Sequence, residues 1–231
     1  MSILSAIIPA AGLGKRMNRA IPKALLTLDK KPIFIHTLEI ISKHPQIEEV
    51  ILVAPPSYIG IFQKKIKDYR IKKIKAVIPG GLTRQASVRN GLSYLDEKSS
   101  WVLIHDAVRP FINFQMISEV ISEAKKYGAA ILGVPINSTL KKIGKEMLIK
   151  ETVPRTSIWE SQTPQVFKKE IIIKAHRRFK ERIFTDDAGM VEALGIKVKI
   201  VRGSFFNIKI TEPQDLIMAE AILRDKKRYG L

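Results

Sequence analysis

Three cationic side chains, Lys15, Arg16 and Lys23, lie in or just after a loop of small residues near the start of the chain. The loop follows an apolar run at 6–8 that predicts a buried strand. Its small residues are Ala10, Ala11, Gly12 and Gly14. Small residues let the backbone approach a ligand, and glycine readily adopts the positive φ that turns N–H groups toward an anion. This combination of N–H donors and cations predicts a polyphosphate-binding loop.

The loop does not match the two common phosphate-binding fingerprints. The dinucleotide-binding pattern requires a third glycine where Met17 stands, and the P-loop requires a glycine where Pro9 stands. We therefore expect a phosphate-binding loop of another kind, in which a lysine and an arginine contact the phosphates directly.

Apolar runs typical of strands alternate with amphipathic stretches typical of helices. The expected strands are 6–8, 50–54, 76–78, 102–105, 130–134 and 197–201. The expected helices are 33–43, 58–68, 84–95, 115–127, 169–180, 186–194 and a C-terminal helix from Glu212. The alternation predicts an α/β fold, with a Rossmann-like, mainly parallel sheet and helices on both of its faces.

Unusual side chains follow the first, third and fourth expected strands, in the segments AAGLGKRM, GGLTRQAS and DAVRP. Ligands of such sheets bind beyond the carboxyl ends of the strands, so we expect these loops to form one site. Asp106 follows an apolar run and would lie at that edge. Its carboxylate would suit Mg²⁺, which binds a carboxylate together with phosphate oxygens and water. The alternative is a helix N-cap, a common role for aspartate after a strand.

The segment 136–155 interrupts the α/β pattern. It alternates polar and apolar residues on either side of Gly144 and Lys145, which predicts a β-hairpin. A lone hairpin buries too little apolar surface to be stable, so we expect this arm to pack on a second subunit. The chain is thus expected to form a single domain, 1–231, with an arm insertion that mediates a homodimer.

The composition restricts the possible partners and compartments. The 231 residues include no cysteine, which excludes disulfides, thiolate catalysis and cysteine-ligated zinc and is compatible with a cytoplasmic location. No apolar run approaches the ~20 residues of a membrane-spanning helix. Forty basic against twenty-two acidic residues give a net charge of +18. The basic run at 64–75 shows no aromatic-interleaved stacking pattern, and the chain shows no helix-turn-helix spacing. We therefore expect the positive charge to attract anionic substrates rather than bind nucleic acid.

Six motifs, in order along almost the whole chain, resemble those of one enzyme family. AIIPAAGLGKRMNRAIPK (6–23) resembles the N-terminal signature of the sugar-nucleotide pyrophosphorylase superfamily, and most closely that of the 2-C-methyl-D-erythritol 4-phosphate cytidylyltransferases. The other matching segments are GGLTRQASVRNGL (80–92), IHDAVRP (104–110), TVPRTSIWESQTPQ (152–165), TDDA (185–188) and NIKITEPQDL (207–216).

The resemblance implies roles for residues at the matching positions. Implied catalytic residues are Arg16, Lys23 and Lys209. Implied nucleotide-binding residues are Ala10, Ala11, Gly12, Gly14, Lys15, Gly80, Gly81, Ser87 and Asp106, of which Gly80, Gly81 and Ser87 would frame the pyrimidine. Implied contacts to the acceptor are Arg109, Thr139, Arg155, Thr163 and Thr185. Thr139 and Arg155 lie in or beside the arm, so they would reach the site of the neighbouring subunit.

The implied reaction is transfer of CMP from CTP to 2-C-methyl-D-erythritol 4-phosphate, with Mg²⁺ held at Asp106. Ribitol 5-phosphate is an alternative acceptor, because ribitol-5-phosphate cytidylyltransferases share nearly every motif. A non-catalytic nucleotide- or nucleic-acid-binding relative is a further alternative, although such a protein would have no need for Arg16, Lys23, Asp106 and Lys209 together. Asp186 and Asp187 would either orient acceptor hydroxyls or begin a helix, where negative charge is favourable.

Overall fold

The computed structural model describes residues 3–12, 14 and 21–225. The strands are β1 (Ile3–Pro9), β2 (Thr27–Leu28), β3 (Lys31–Pro32), β4 (Glu49–Ala54), β5 (Ile74–Pro79), β6 (Ser99–Ile104), β7 (Ala129–Pro135), β8 (Leu140–Ile143), β9 (Ile149–Val153), β10 (Trp159–Lys168) and β11 (Lys199–Arg202). The α-helices are α1 (Ile33–Lys43), α2 (Ile59–Asp68), α3 (Arg84–Leu92), α4 (Phe114–Tyr127), α5 (Lys169–Arg178), α6 (Asp187–Glu192) and α7 (Pro213–Arg224). Short 3₁₀ helices cover Lys23–Leu25 and Pro56–Tyr58.

Seven of these strands form the central sheet, in the order β11-β7-β10-β6-β1-β4-β5. Pairing is parallel between β1 and both of its neighbours, between β4 and β5, and between β7 and β11. Only β10 is antiparallel to its neighbours in this sheet, β6 and β7. The mainly parallel α/β sheet expected from the sequence is confirmed.

Helices cover both faces of the sheet. On β1, Ile8 packs into a cluster with Phe34 of α1 and Phe62 of α2, to which α4 and α7 also contribute. The adjacent Ile7 points the other way, into a cluster with Val88 of α3 and Ile172 of α5. Because successive side chains of a strand alternate in direction, a strand buried on both faces needs apolar side chains on both, as β1 has from Ala6 to Ile8.

Polar caps fix where the helices at the carboxyl edge begin. Thr83 accepts a hydrogen bond from the backbone N–H of Ala86 (3.0 Å), so α3 starts at Arg84. Asp186 likewise accepts from the N–H of Gly189 (3.0 Å), so α6 starts at Asp187. N-caps of this kind satisfy backbone donors that a helix leaves unpaired at its first turn. They place two charged side chains, Arg84 and Asp187, at helix starts beside the site described below.

Strand β10 is the strand of the central sheet that the sequence pattern did not predict. Its residues 159–165 belong to the motif TVPRTSIWESQTPQ, where polar residues and Pro164 obscure the alternation typical of a strand. Its pairing with β7 is irregular between Gln162 and Gln165, next to a cis peptide bond between Thr163 and Pro164. As β10 runs against its neighbours, its first half lies at the carboxyl edge of the parallel strands.

The predicted hairpin is present as the pair β8–β9, joined by a turn in which Met147 has a positive φ of 60°. Near its tip, Ile143, Met147, Leu148 and Ile149 are all exposed. The hairpin thus presents apolar side chains that this chain does not cover. In the ranges that the structure describes, no helix combines the length and the apolar character needed to cross a membrane.

Candidate active site

The loop after β1 packs closely around Lys23. Gly14 has a positive φ of 65°, and a Cβ added there would lie 3.1 Å from the Cβ of Lys23. A Cβ added at Gly12 would lie 3.5 Å from the Cε of the same lysine. Only the contact at Gly14 is tighter than ordinary packing, so the positive φ and the close approach to Lys23 favour glycine there. Lys15 and Arg16 lie outside the described residues.

The first of two adjoining cavities has a volume of about 650 Å³ and opens at the carboxyl ends of β1 and β5. Its lining brings together residues that the sequence predicts for nucleotide binding or catalysis: Ala11, Gly12, Lys23, Gly80, Gly81, Ser87, Asp106 and Lys209. Ala10 and Gly14 do not line it. Ala10 is buried and its N–H donates to the carbonyl of Val53 (2.7 Å), which anchors the start of the loop to the sheet.

Gly80, Gly81 and Ser87 form a tight corner of this cavity. The N–H of Gly81 donates to Ser87 Oγ (3.1 Å), and that hydroxyl donates to the carbonyl of Thr83 (2.9 Å). A Cβ added at Gly80 would lie 2.3 Å from the Cβ of Ala11, closer than real Cβ atoms come. The absence of a side chain at Gly80 therefore lets the end of β5 approach the loop after β1.

The second cavity, of about 190 Å³, lies between the start of β10, the loop after β6 and the start of α6. It is lined by Arg84, Asp106, Arg109, Ser161, Gln162, Thr163, Gln165, Thr185, Asp186 and Lys209. The predicted acceptor contacts Arg109, Thr163 and Thr185 are thus brought together. Arg84, Asp106 and Lys209 line both cavities, so they lie where the two meet.

Asp106 is the centre of this junction. Its Oδ1 accepts from Arg84 Nε (2.9 Å), and its Oδ2 pairs with Lys209 Nζ (2.7 Å) and lies 4.0 Å from Arg109 Nε. Burial alone would raise the pKa of Asp106, but the charges of Arg84, Lys209 and Arg109 outweigh it and hold that pKa well below its usual range. The carboxylate is therefore ionised, and it holds cations together at the point where the cavities meet.

Arg84 also reaches a second carboxylate. Its Nη1 donates to Asp187 Oδ2 (2.6 Å), and Asp187 Oδ1 contacts His176 Nε2 (3.0 Å). Burial alone would lower the pKa of Arg84, but Asp187 and Asp106 together raise it. The structure therefore places Arg84 between two carboxylates, whereas its spacing in the sequence is that of an ordinary charge on a helix face. The only sequence signal for this placement is its position inside the GGLTRQAS segment.

His105 supports the site without entering either cavity. Thr163 Oγ1 accepts the N–H of Asp106 (3.1 Å), so its hydroxyl proton is available to the Nδ1 of His105 (3.0 Å). The other ring nitrogen, Nε2, then carries the proton and donates to the carbonyl of Arg109 (3.1 Å). This arrangement requires a neutral imidazole, and complete burial lowers the pKa of His105 to about 4. His105 is thus a hydrogen-bonding residue that links the end of β6 to β10 and to Arg109.

Lys209 is held by the segment between β11 and α7. Ile210 donates its N–H to the carbonyl of Val108 (2.9 Å), and Asn207 accepts from Arg109 Nη1 through its carbonyl (2.6 Å). Asn207 Nδ2 also donates to the carbonyl of Thr163 (3.0 Å). The NIKITEPQDL segment is therefore tied to both IHDAVRP and TVPRTSIWESQTPQ, which explains how distant motifs converge.

Asp186 and Asp187 differ in their surroundings. Asp186 caps α6, lines the second cavity, and accepts through Oδ2 from Ser161 Oγ (2.8 Å) and Gln165 Nε2 (2.9 Å). Asp187 is fully buried and lines neither cavity. Of the two roles considered from sequence, Asp186 combines a helix start with a place at the cavity. Asp187 instead holds Arg84.

Thr139 and Arg155 line neither cavity. Both are exposed at the base of the hairpin, where the guanidinium of Arg155 donates to the carbonyl of Asn137. One copy of the chain therefore does not bring them to the site. Their predicted role in a neighbouring subunit's site remains a prediction.

A divalent cation would find a single carboxylate common to both cavities, Asp106. Among the described residues no cluster of three or more histidine, aspartate or glutamate side chains has metal-binding geometry. One carboxylate nonetheless suits Mg²⁺, which usually binds one or two carboxylates together with substrate phosphates and water. The donor set thus fits a cation that arrives with a phosphorylated ligand.

A larger cavity of about 1000 Å³ lies at the opposite edge of the sheet, beside the start of β6 and along α5. It is lined by Lys168, Lys169, Lys174, Arg177 and other residues, and it contains none of the predicted site residues. Volume alone therefore does not identify the active site. The two adjoining cavities are the candidate active site because the predicted site residues converge there, at Asp106.

Comparison with known proteins gives one consistent family. The family model described as 2-C-methyl-D-erythritol 4-phosphate cytidylyltransferase matches residues 4–225. The enzyme of that name from Alkaliphilus metalliredigens is 43% identical over 98% of this chain and 95% of its own. The crystal structure of 4-diphosphocytidyl-2C-methyl-D-erythritol synthase from Anaerococcus prevotii has a TM-score of 0.86 and 33% identity, covering 96% of both chains.

A second solved structure agrees in fold and extent. The 2-C-methyl-D-erythritol 4-phosphate cytidylyltransferase from Thermus thermophilus has a TM-score of 0.80 and 33% identity, covering 97% of this chain and 100% of its own. The match extends over the whole sheet and over every motif described above. The chain belongs to the 2-C-methyl-D-erythritol 4-phosphate cytidylyltransferase family.

Proposed function

We propose that this cytidylyltransferase transfers the cytidylyl group of CTP to 2-C-methyl-D-erythritol 4-phosphate and releases pyrophosphate. The observation that carries the proposal is the junction of two cavities at Arg84, Asp106 and Lys209. A nucleotide in the larger cavity and a phosphorylated acceptor in the smaller one would meet there. Family membership identifies the two substrates.

In this reaction a phosphate oxygen of the acceptor attacks the α-phosphorus of CTP, and the bond to the pyrophosphate oxygen breaks. The protein contributes mainly by positioning the two anions and stabilising negative charge on the non-bridging oxygens. Lys23, at the end of the glycine loop, is proposed to do this from the nucleotide side, and Lys209 from the junction. Arg16 is proposed to assist Lys23, as the resemblance implies.

Asp106 is proposed to hold Mg²⁺ together with the phosphates of CTP. When bound, the cation would neutralise charge on the triphosphate. Asp106 is the residue that would hold the cation, and its Oδ2 lies 2.7 Å from Lys209 Nζ. Lys209 would thus stand beside the cation and is proposed to contact a substrate phosphate there.

The corner formed by Gly80, Gly81 and Ser87 is proposed to select the base. Its walls are backbone atoms and one small hydroxyl that is already hydrogen-bonded within the corner. A purine would have to displace backbone rather than a movable side chain, so we expect CTP to be preferred over ATP and GTP. Ala11 and Gly12 line this cavity and, with Lys15, are proposed as further nucleotide contacts. Ala10 and Gly14 do not line it, and they are proposed to contribute by shaping the loop.

The acceptor is proposed to bind in the smaller cavity, with Arg109 as an anion contact and Thr163 and Thr185 at its walls. Thr139 and Arg155 are proposed to come from the neighbouring subunit of a homodimer. The exposed apolar residues of the arm support this, since a dimer would cover them. The net charge of +18 would attract both anionic substrates. A cytoplasmic location is part of the proposal.

The test is pyrophosphate release by the purified protein with CTP and Mg²⁺, comparing 2-C-methyl-D-erythritol 4-phosphate with ribitol 5-phosphate. We expect turnover with the first acceptor and little with the second. Replacing CTP by ATP or GTP should lower kcat/KM strongly. A higher kcat/KM with ribitol 5-phosphate would reassign the acceptor, and equal use of ATP would refute the role of the glycine corner.

A further inference from the structure

A buried pair of side chains lies outside both cavities and contacts Arg84, which lines both of them. Asp187, the first residue of α6, and His176 of α5 have side chains that are 0% and 2% exposed. They are linked through Asp187 Oδ1 and His176 Nε2 (3.0 Å), and the other oxygen of Asp187 accepts from Arg84 (2.6 Å). A line of successive contacts therefore joins His176 to Asp187, Asp187 to Arg84, and Arg84 to Asp106 at the junction.

We propose that the Asp187–His176 pair is a positioning unit, which fixes the Arg84 guanidinium against Asp106 and so sets the orientation of the Asp106 carboxylate. This inference rests on the proposed function, because it assigns these residues to the same reaction. Neither residue of the pair lines a cavity, so both act through Arg84.

The geometry supports a positioning role because Arg84 is held at two separate nitrogens. Its Nε donates to Asp106 and its Nη1 to Asp187, so the planar guanidinium spans the two carboxylates. The next residue, Gln85, donates through Nε2 to the carbonyls of Phe179 (3.0 Å) and Arg182 (3.1 Å). The start of α3 is thus tied to the segment between α5 and α6, which leaves little freedom for Arg84.

The energetics also favour this role over a purely stabilising one. Burying an ion pair removes two charges from water, and well-packed apolar residues often stabilise a protein as much or more. Burial alone would raise the pKa of Asp187, but Arg84 and His176 lower it, so the carboxylate stays charged although it is fully buried. A charge kept in such a place is well suited to holding another charge in a fixed orientation.

His176 contributes a hydrogen-bond donor. Because Asp187 is ionised, its Oδ1 can only accept, so His176 Nε2 must carry a proton. Its Nδ1 is buried and makes no hydrogen bond to any residue in the described ranges. Gln can supply an N–H at the position of Nε2, whereas Leu cannot. His176→Gln and His176→Leu therefore separate the donor from the volume of the side chain.

The experiment compares Asp187→Asn, His176→Gln and His176→Leu with controls at the remote sites Glu49 and His44. Glu49 is a part-buried, ion-paired carboxylate at the opposite edge of the sheet, and His44 is buried and contacts Ser118 Oγ. Controls are Glu49→Gln, His44→Gln and His44→Leu. For each variant, kcat, the KM of both substrates and the midpoint of thermal unfolding are measured.

We expect Asp187→Asn and His176→Leu to lower kcat about 10–100-fold, the usual range for partners that orient a site residue. His176→Gln should restore most of the activity. The controls should lower the unfolding midpoint without a comparable loss of kcat. Full kcat in a folded Asp187→Asn variant, or equal losses in His176→Gln and His176→Leu, would overturn the inference. If Asp187→Asn does not fold, the histidine variants decide.

A crystal structure of the Asp187→Asn or His176→Leu variant supplies a readout that needs no turnover. We expect Arg84 to leave its position 2.9 Å from Asp106. An unchanged Arg84 would refute the inference even if activity fell. Absence of pyrophosphate release by the unmodified protein would instead refute the proposed function, and the position of Arg84 would still test the positioning unit.

Discussion

Replacing Gly80 by alanine should weaken both the fold and CTP binding. The added Cβ would lie 2.3 Å from the Cβ of Ala11, 3.0 Å from Ser87 Oγ and 3.4 Å from the carbonyl oxygen of Ala54. Ordinary contact between carbon atoms requires about 3.5–4 Å. Ala11 and Gly80 would therefore have to separate by more than about 1 Å, which moves the loop after β1 away from the end of β5.

The cost of such overpacking is typically about 1–3 kcal/mol. For a chain of this size, that lowers the midpoint of thermal unfolding by roughly 2–12 °C. The displacement lies in the cavity proposed to bind the nucleotide, and a shift of about 1 Å in a substrate site can cost on the order of 100-fold in rate. We therefore expect kcat/KM for CTP to fall by about 10–100-fold, measured by pyrophosphate release at saturating acceptor.

Gly60→Ala is the matched control. Gly60 lies in α2, and a Cβ added there meets nothing within 4 Å. Alanine in a helix is about 0.5–1 kcal/mol more favourable than glycine, so this variant should be slightly more stable and equally active. A Gly80→Ala protein with the unfolding midpoint and the KM for CTP of the unmodified chain would show that close approach at Gly80 is not required.

Three further predictions concern the loop lysine, the arm and a buried histidine. Lys23→Ala should lower kcat by about 10²–10³-fold with little change in the unfolding midpoint, because it removes one charge-stabilising donor; near-normal kcat would exclude it from the mechanism. Mixing Lys23→Ala with Arg155→Ala chains should restore activity in up to half of the sites of mixed dimers. Failure after confirmed subunit exchange would mean that Arg155 does not act across the dimer. Burial lowers the pKa of His44, so the unfolded chain binds the proton first and stability should fall as the pH decreases below about 6.5. His44→Gln should make this decrease shallower in unfolding midpoints between pH 7 and 5, and an unchanged decrease would contradict the assignment.

The centre of the sheet could be predicted because its strands β1, β4 and β7 are buried on both faces. The run from Ala6 to Ile8 is apolar at every position, and each of these residues is fully buried. Strand β10 could not be predicted, because its first half lies at the ligand edge and carries polar side chains such as Gln162 and Thr163. A strand whose polar side chains line a cavity lacks the apolar pattern by which buried strands are predicted from sequence.

The predicted site residues differ in how far the sequence could place them. Three of them, Gly80, Gly81 and Ser87, lie within eight positions of one another. The loop after β5 and the first turn of α3 are enough to bring them together. Arg84 and Asp187 are 103 positions apart, and their contact depends on the packing of α5 and α6 against α3. Contacts of this kind come from tertiary structure, and no local pattern in the sequence indicates them.

The charges at the junction indicate why a carboxylate stands at the centre of a site that binds anions. Arg84, Arg109 and Lys209 approach one another at Asp106, and without that carboxylate their mutual repulsion would separate them. Asp106 thus fixes the cations before the substrates arrive. Donors that are already in place cost no reorganisation when negative charge develops on the phosphates. On this view Asp106→Asn should loosen all three cations, so its effect on kcat should exceed that of removing Arg84 alone.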